Sequence, residues 1–261
     1  MVNLHSVVSL IDSHMDTGIP FSFGPFEGTY FVRRHPEKSV TEDSVCLFLQ
    51  AENSSVLAVA DGLGGHKGGD LASKIAIETL LEQMEGEKAG ISPMERITQS
   101  FDIANQRILD LGIGAATTLV VGELQGKSCR FYHAGDSMGM ILGSRGKCKW
   151  ATLQHNQRGH GIESGMVAPQ DPELLAVNHI VTNYLGTPAM RIEVSPAVSL
   201  DPKDRIFLFS DGISDNLDLT KIPNGSRTGF LVEWMTSRVQ ISMETESGKP
   251  DDASLIIVCQ R

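Results

Sequence analysis

Five times along this 261-residue chain an acidic residue stands at the tip of an apolar run of strand length. Asp61 follows "LAVA", Asp136 follows "FYHAG" and Asp211 follows "IFLFS"; Glu42-Asp43 precede "SVCLFL", and Asp251 stands just before "ASLIIV". Runs this short, closed by turn formers, read as buried strands. A fold built from them must deliver carboxylates to strand ends. Singly, each Asp-Gly after a strand is an ordinary turn. Together, gathered carboxylates repel, raise one another's pKa and persist only beside compensating cations. An all-oxygen donor set favours Mg²⁺ or Mn²⁺, whereas zinc is drawn to His or Cys. The glycines of "VADGLGGHKGGD" then let the backbone approach an ion, with the Gly62 carbonyl as a further ligand.

Charge narrows the class. The formal net charge is −10, from 32 acidic against 22 basic residues, and no Lys/Arg run exceeds Arg33-Arg34. That argues against a basic nucleic-acid face. The acidic surplus reads either as solubility or as carboxylates that hold cations. No apolar stretch approaches the roughly 20 residues of a membrane span. The N-terminus lacks a basic leader followed by an apolar core, so a cytoplasmic location with no membrane partner is expected. Cys46, Cys129, Cys148 and Cys259 form no CxxC pair and read as reduced core thiols.

Periodicity predicts an amphipathic helix near residues 70–84, carried by Ile77, Leu80, Leu81 and Met84. A second helix is predicted from Ser92 as N-cap, Pro93 at the first helical position and Glu95 completing a capping box. Its stripe is Met94, Ile97, Phe101, Ala104, Ile108 and Leu111, and Gly112 stops it. "ATTLVVGEL", "SCRFYHAG", "MGMILGS" and "CKWATL" then predict an antiparallel meander. Residues 154–190 are polar and irregular, the place for a long surface excursion. "RIFLFSDG" and "ASLIIVCQ" predict strands, and "TGFLVEWMTSRVQISM" predicts a helix. "FSFGPFEGTYFVRRH", within the poorly legible first 37 residues, reads as an edge strand or a partly ordered arm. With no repeat or linker, residues 1–261 read as a single α+β domain with antiparallel sheet.

The glycine loop is no phosphate cradle of the familiar kinds. A P-loop fails because Lys67 follows His66 and precedes Gly68, and the dinucleotide fingerprint fails because Lys67 stands where its last glycine belongs. No cysteine is followed by Arg at Cys-x5-Arg spacing.

"TEDS" (41–44), the Asp-Gly stretch with its downstream Gly-Gly-His, "GAATTLVV" (114–121), "HAGDSMG" (133–139), "LFSDGISD" (208–215) and "PDDASLIIV" (250–258) occur in one order. From about residue 38 onward the chain resembles the bacterial form of the metal-dependent protein serine/threonine phosphatases, protein phosphatase 2C. The resemblance implies a four-layer α-β-β-α sandwich, two antiparallel β-sheets flanked by helices, with a two-metal site at one end. It implies two Mn²⁺ or Mg²⁺ ions. Asp61 would bridge them, the Gly62 carbonyl, Asp211 and Asp251 would complete the ligands, and Glu42 and Asp43 would hold waters on the metals. Asp251 rather than Asp252 is the expected ligand of the last motif. Asp136 and Asp215 correspond to the positions of a third, weaker ion.

The same resemblance implies direct hydrolysis of phosphoserine or phosphothreonine in proteins, an opposing Ser/Thr kinase, and a monomer. The chain departs from the family in several places. Lys38 stands where the family usually has a phosphate-binding Arg, with Arg34 or Arg33 as substitutes. Leu63 directly follows the Asp-Gly where animal members carry a general-acid His; His66 is the candidate proton donor, against a solvated loop histidine. His155 and His160 read as exposed loop histidines in an altered flap. These departures leave two alternatives: a phosphatase-like regulatory or binding domain with weak or no catalysis, and a small-phosphoester hydrolase.

Overall fold

A computed structural model describes residues 5–50, 54–64, 67–86, 90–165, 180–224, 227–245 and 248–260. The chain opens with β1 (His5–Ile11), β2 (Ile19–Phe23) and β3 (Phe26–Arg33), then β4 (Asp43–Gln50) and β5 (Ser55–Asp61). Two helices follow, α1 (Gly69–Met84) and α2 (Pro93–Asp110), and then β6 (Leu119–Gln125), β7 (Ser128–Ala134), β8 (Met138–Leu142) and β9 (Cys148–Ala151). The remainder is α3 (Gln157–Glu163), β10 (Glu193–Val194), β11 (Val198–Ser199), β12 (Arg205–Phe209), the single turn α4 (Asp211–Ser214), α5 (Thr228–Met243) and β13 (Ala253–Gln260).

The strands form two antiparallel sheets. One runs β1-β4-β5-β6-β7, with β10 and β11 both on the outer side of β7; the other runs β2-β3-β13-β12-β8-β9. Their faces explain why the strands read as unbroken apolar runs. On β4 and β5, Val45, Leu47, Leu49, Leu57 and Val59 pack between the sheets, while Cys46, Phe48, Val56, Ala58 and Ala60 pack under α1 and α2. On the other sheet, Ile206, Leu208, Ile256 and Val258 face inward, and Phe207, Phe209, Leu255 and Ile257 face α5. A strand covered on both faces has no polar side to alternate with. The result is the expected four-layer sandwich.

The capping box at Ser92 and Glu95 is present, with Pro93 opening α2. Met94 departs from the predicted stripe: it is exposed, and its sulfur accepts a hydrogen bond from Arg130. The predicted meander is divided. β6–β7 and β8–β9 are hairpins in different sheets, joined by a crossing at Gly135-Asp136-Ser137. Gly135 has a φ of 122°, and a Cβ there would lie 2.4 Å from the Thr118 Cβ, so the crossing requires glycine. The N-terminal stretch is also corrected. β2 is an edge strand, but β3 lies inside its sheet, paired with β13 from Phe26 to Arg33. Cys46 and Cys129 are core thiols, whereas Cys148 is exposed and Cys259 half-buried. Of the predicted excursion, residues 166–179 lie outside those described. Its return leg is core rather than surface: Leu185 is fully buried, and the Gly186 N–H donates to Asn105 on α2. Among the described residues, no helix is long and apolar enough to cross a membrane.

Candidate metal centre

The hairpin register puts Asp43, first residue of β4, directly opposite Asp61, last residue of β5. The second sheet brings Asp211 to the end of β12 and Asp251 to the start of β13. The crossing from β7 to β8 contributes Asp136. Charged groups from both sheets therefore meet at one end of the sandwich. The carboxyls of Asp61 and Asp211 meet closely enough for each to shift the other's titration. Burial above all, then the charges of Asp43, Asp211 and Asp251, holds the Asp61 carboxyl well above the usual carboxylate range. Asp211 is raised likewise by burial and by Asp136, Asp251 and Asp215. Burial pushes Asp43 and Asp136 up to about 7, with Asp252 adding to the first and Asp215 to the second.

Two of these groups also hold the fold. Asp43 Oδ2 accepts a 2.9 Å hydrogen bond from the Ser210 hydroxyl across the sheets, and the Ser254 N–H donates to Ser210 Oγ at 2.9 Å. Asp43 Oδ1 is buried without a well-formed hydrogen bond, and the Ser254 hydroxyl, likewise unpaired, is its neighbour. Asp252 accepts the backbone N–H groups of His35 at 2.6 Å and Glu42 at 2.7 Å, which fixes it as a brace. Its neighbour Asp251 keeps a side chain 44% exposed. The hydrogen bonds thus divide the labour between the two adjacent acids.

Positive charge sits on both flanks. Lys38 pairs with Glu42, and its Nζ lies 3.3 Å from Asp252 and 3.7 Å from Asp251. Lys249 Nζ lies 2.9 Å from Asp215 Oδ2. Arg34 donates to the Ser39 carbonyl at 2.7 Å, and Arg33 donates to Gln240 while stacking over Phe31. His66 lies outside the described residues.

Gly62 acts through close packing. Its N–H donates to the Glu42 carbonyl at 3.0 Å, and a Cβ on it would fall 2.4 Å from the Gly69 carbonyl carbon and oxygen at the start of α1. A Cβ on Gly69 would in turn lie 2.7 Å from Glu42 Oε1. The helix start, the strand end and the acidic cluster are packed backbone to backbone. Gly62→Ala is therefore expected to destabilise the fold by about 1–3 kcal/mol, the usual cost of overpacking. Urea unfolding checks this, and an unchanged midpoint would refute the packing argument.

Two neighbouring features invite other chemistry. Gly135–Gly139 spells G-x-S-x-G, but Ser137 leads into a strand rather than a helix, is buried, and shares a 2.7 Å hydrogen bond with Thr118 Oγ1. A nucleophile elbow needs the opposite in each respect. His133, His155 and Glu193 place ligand atoms within 4.8 Å of one another, a mutual closeness that, among the described residues, no three carboxylates of the acidic cluster reach. Yet the Gly135 N–H donates to His155 Nδ1 at 3.1 Å, which leaves Nε2–H to donate to Glu193 at 3.0 Å. His133 Nε2 faces the Leu153 carbonyl at 2.9 Å and must also carry its proton. With both Nε2 lone pairs absent, this trio is a structural bracket rather than a metal site.

His155 is accordingly no exposed loop histidine. It is buried, stacked on His133 and bonded to the backbone just before Asp136, and His160 departs too, standing half-buried on α3 with Nε2 2.8 Å from Thr182 Oγ1. The sequence signal for that role was slight, a lone His after "TLQ" at the root of the excursion.

The side-chain donors of the acidic cluster are all carboxylates, and Asp43 Oδ1 is buried without a well-formed hydrogen bond, a donor set of the kind that hard cations take. The residues present fit Mg²⁺ or Mn²⁺.

Comparison with known proteins gives a consistent answer. A sequence profile described as Protein phosphatase 2C matches residues 33–247. Protein phosphatase PhpP of Streptococcus pneumoniae is 26% identical over 224 residues, covering 81% of this chain and 85% of that protein. The S. agalactiae serine/threonine phosphatase superposes with a TM-score of 0.74 at 20% identity, over 90% of this chain and 100% of the other. The catalytic domain of the serine/threonine protein phosphatase PstP, solved with two manganese ions, superposes with a TM-score of 0.70 at 22% identity, over 90% of this chain and 97% of that one.

Proposed function

The chain belongs to the protein phosphatase 2C family, a serine/threonine phosphatase by that membership, and on that premise we propose that it hydrolyses phosphoserine and phosphothreonine in proteins with two Mn²⁺ or Mg²⁺ ions. Asp61, Asp211, Asp251 and the Gly62 carbonyl hold the ions. Glu42 and Asp43 hold the surrounding waters. When bound, such a pair of ions makes a shared water acidic near neutral pH and neutralises the phosphoryl oxygens. Lys38 steadies the charge of Glu42, Asp251 and Asp252 on the rim, and the one N–H left after its bonds to Glu42 and Asp252 serves an incoming phosphate. His66 is the candidate proton donor to the leaving alcohol.

The observation that carries this reading is the meeting of the Asp61 and Asp211 carboxyls, from different sheets and 150 positions apart in the chain. Nothing in packing calls for two half-buried acids to touch. The test is hydrolysis of a chromogenic aryl phosphate with Mn²⁺, with and without chelator, followed by phosphopeptides. Turnover that needs Mn²⁺ and extends to phosphopeptides supports the proposal. No metal-dependent turnover would favour a regulatory or binding domain, and turnover confined to small esters would favour a small-phosphoester hydrolase.

A further inference from the structure

The third-ion position implied by Asp136 and Asp215 is already neutralised by this chain's own groups. Asp215 closes the α4 turn, its N–H donating to the Asp211 carbonyl at 2.8 Å. Its Oδ2 lies 2.9 Å from Lys249 Nζ, and the Asp215 side chain is only 12% exposed. The lysine is delivered there by a fixed backbone. The Lys249 N–H donates to Asn216 Oδ1 at 3.0 Å, and Asn216 Nδ2 donates back to the Lys249 carbonyl at 2.8 Å. Asn216 also donates to the Gly212 carbonyl at 3.1 Å, so one amide clamps the lysine segment onto α4. Asp136 has the Asn156 side chain beside it. These residues do not fit a third cation: one carboxylate holds an ammonium, and an arriving dication would meet that positive charge at close range in a half-buried site.

We propose that the Lys249 ammonium takes the place of a third metal ion, so that the centre holds two divalent cations and no more. The inference rests on the two-ion reading of Asp61, Asp211 and Asp251. It makes Lys249 a positioning residue that fixes Asp215 by charge, in a segment that also carries Asp251.

Manganese stoichiometry tests it directly, by calorimetric titration and by metal analysis after equilibrium dialysis, on the wild-type chain and on Lys249→Met, Lys249→Arg and Asp215→Asn. The expected result is two ions per chain for wild type, Lys249→Arg and Asp215→Asn, and three for Lys249→Met. Three ions in the wild type, a loss of one ion in Asp215→Asn, or two in a Lys249→Met protein with an unaltered circular dichroism spectrum would each overturn the inference while leaving the two-ion reading in place. No bound manganese in the wild type would overturn both.

Discussion

Asp211→Asn is expected to lower Mn²⁺-dependent turnover by at least ~10³-fold, because loss of a hydrogen-bonding partner behind a metal ligand alone costs ~10–100-fold, and this change removes a candidate ligand. The same substitution should stabilise the metal-free protein. Asp211 stands half-buried among Asp61, Asp136, Asp215 and Asp251, and its removal as a charge relieves the repulsion that its ionised form meets. An amide in its place still meets the Asp61 carboxyl. A gain of about 1 kcal/mol corresponds to a rise of roughly 2–4 °C in melting temperature for a domain of this size. The pairing of opposite effects is what distinguishes a metal ligand from a residue of the fold. Wild-type turnover in the variant, or a lower melting temperature without metal, would remove Asp211 from the site.

Metal-free protein should lose stability as pH rises through neutrality, and manganese should reverse the trend. Asp43 and Asp136 have carboxyls raised to about 7, against 3.8 in the unfolded chain. Between those values the folded state holds protons that the unfolded state has released, so stability is full below the lower value and is lost as pH climbs through the upper one. Asp61, Asp211 and Asp251 are shifted in the same direction. Two histidines oppose them: burial lowers His133 to about 4, and it lowers His155 as well. That pair favours higher pH, an effect that dies away as pH passes their unfolded value of 6.5 and the unfolded imidazoles lose their protons too. Across the interval from pH 6.5 to 7.5 the histidines' opposing contribution fades, and the carboxylates dominate. Melting temperature in chelator should fall across it, and the gain on adding Mn²⁺ should grow, because the ions take the deprotonated ligands. A flat or rising metal-free curve would mean that the acids do not crowd one another.

Much of this was legible in the sequence, for reasons that differ by element. α2 announces itself through Ser92, Pro93 and Glu95 because capping is a local matter of four residues. The strand-end acids are legible because a carboxylate after a long apolar run stands out against its surroundings. The crossing at Gly135 was hidden, since a hairpin within one sheet and a passage between two sheets use the same turn residues. Strand β3 was obscured by its glycine, Gly28, which packs against the Phe21 ring rather than breaking the strand. The bracing role of Asp252 depends on the N–H groups of His35 and Glu42, more than 200 positions away, and no local pattern encodes that.

The Asp43–Ser210 link across the sandwich has a mechanical corollary. It stitches the two layers at the rim where the acids emerge, so slippage of one layer over the other would tear that stitch and scatter the acids together. Ion loading should then act as a rivet, slowing amide exchange at the tips of β4, β5 and β12 far more than in the outer hairpins β2–β3 and β8–β9.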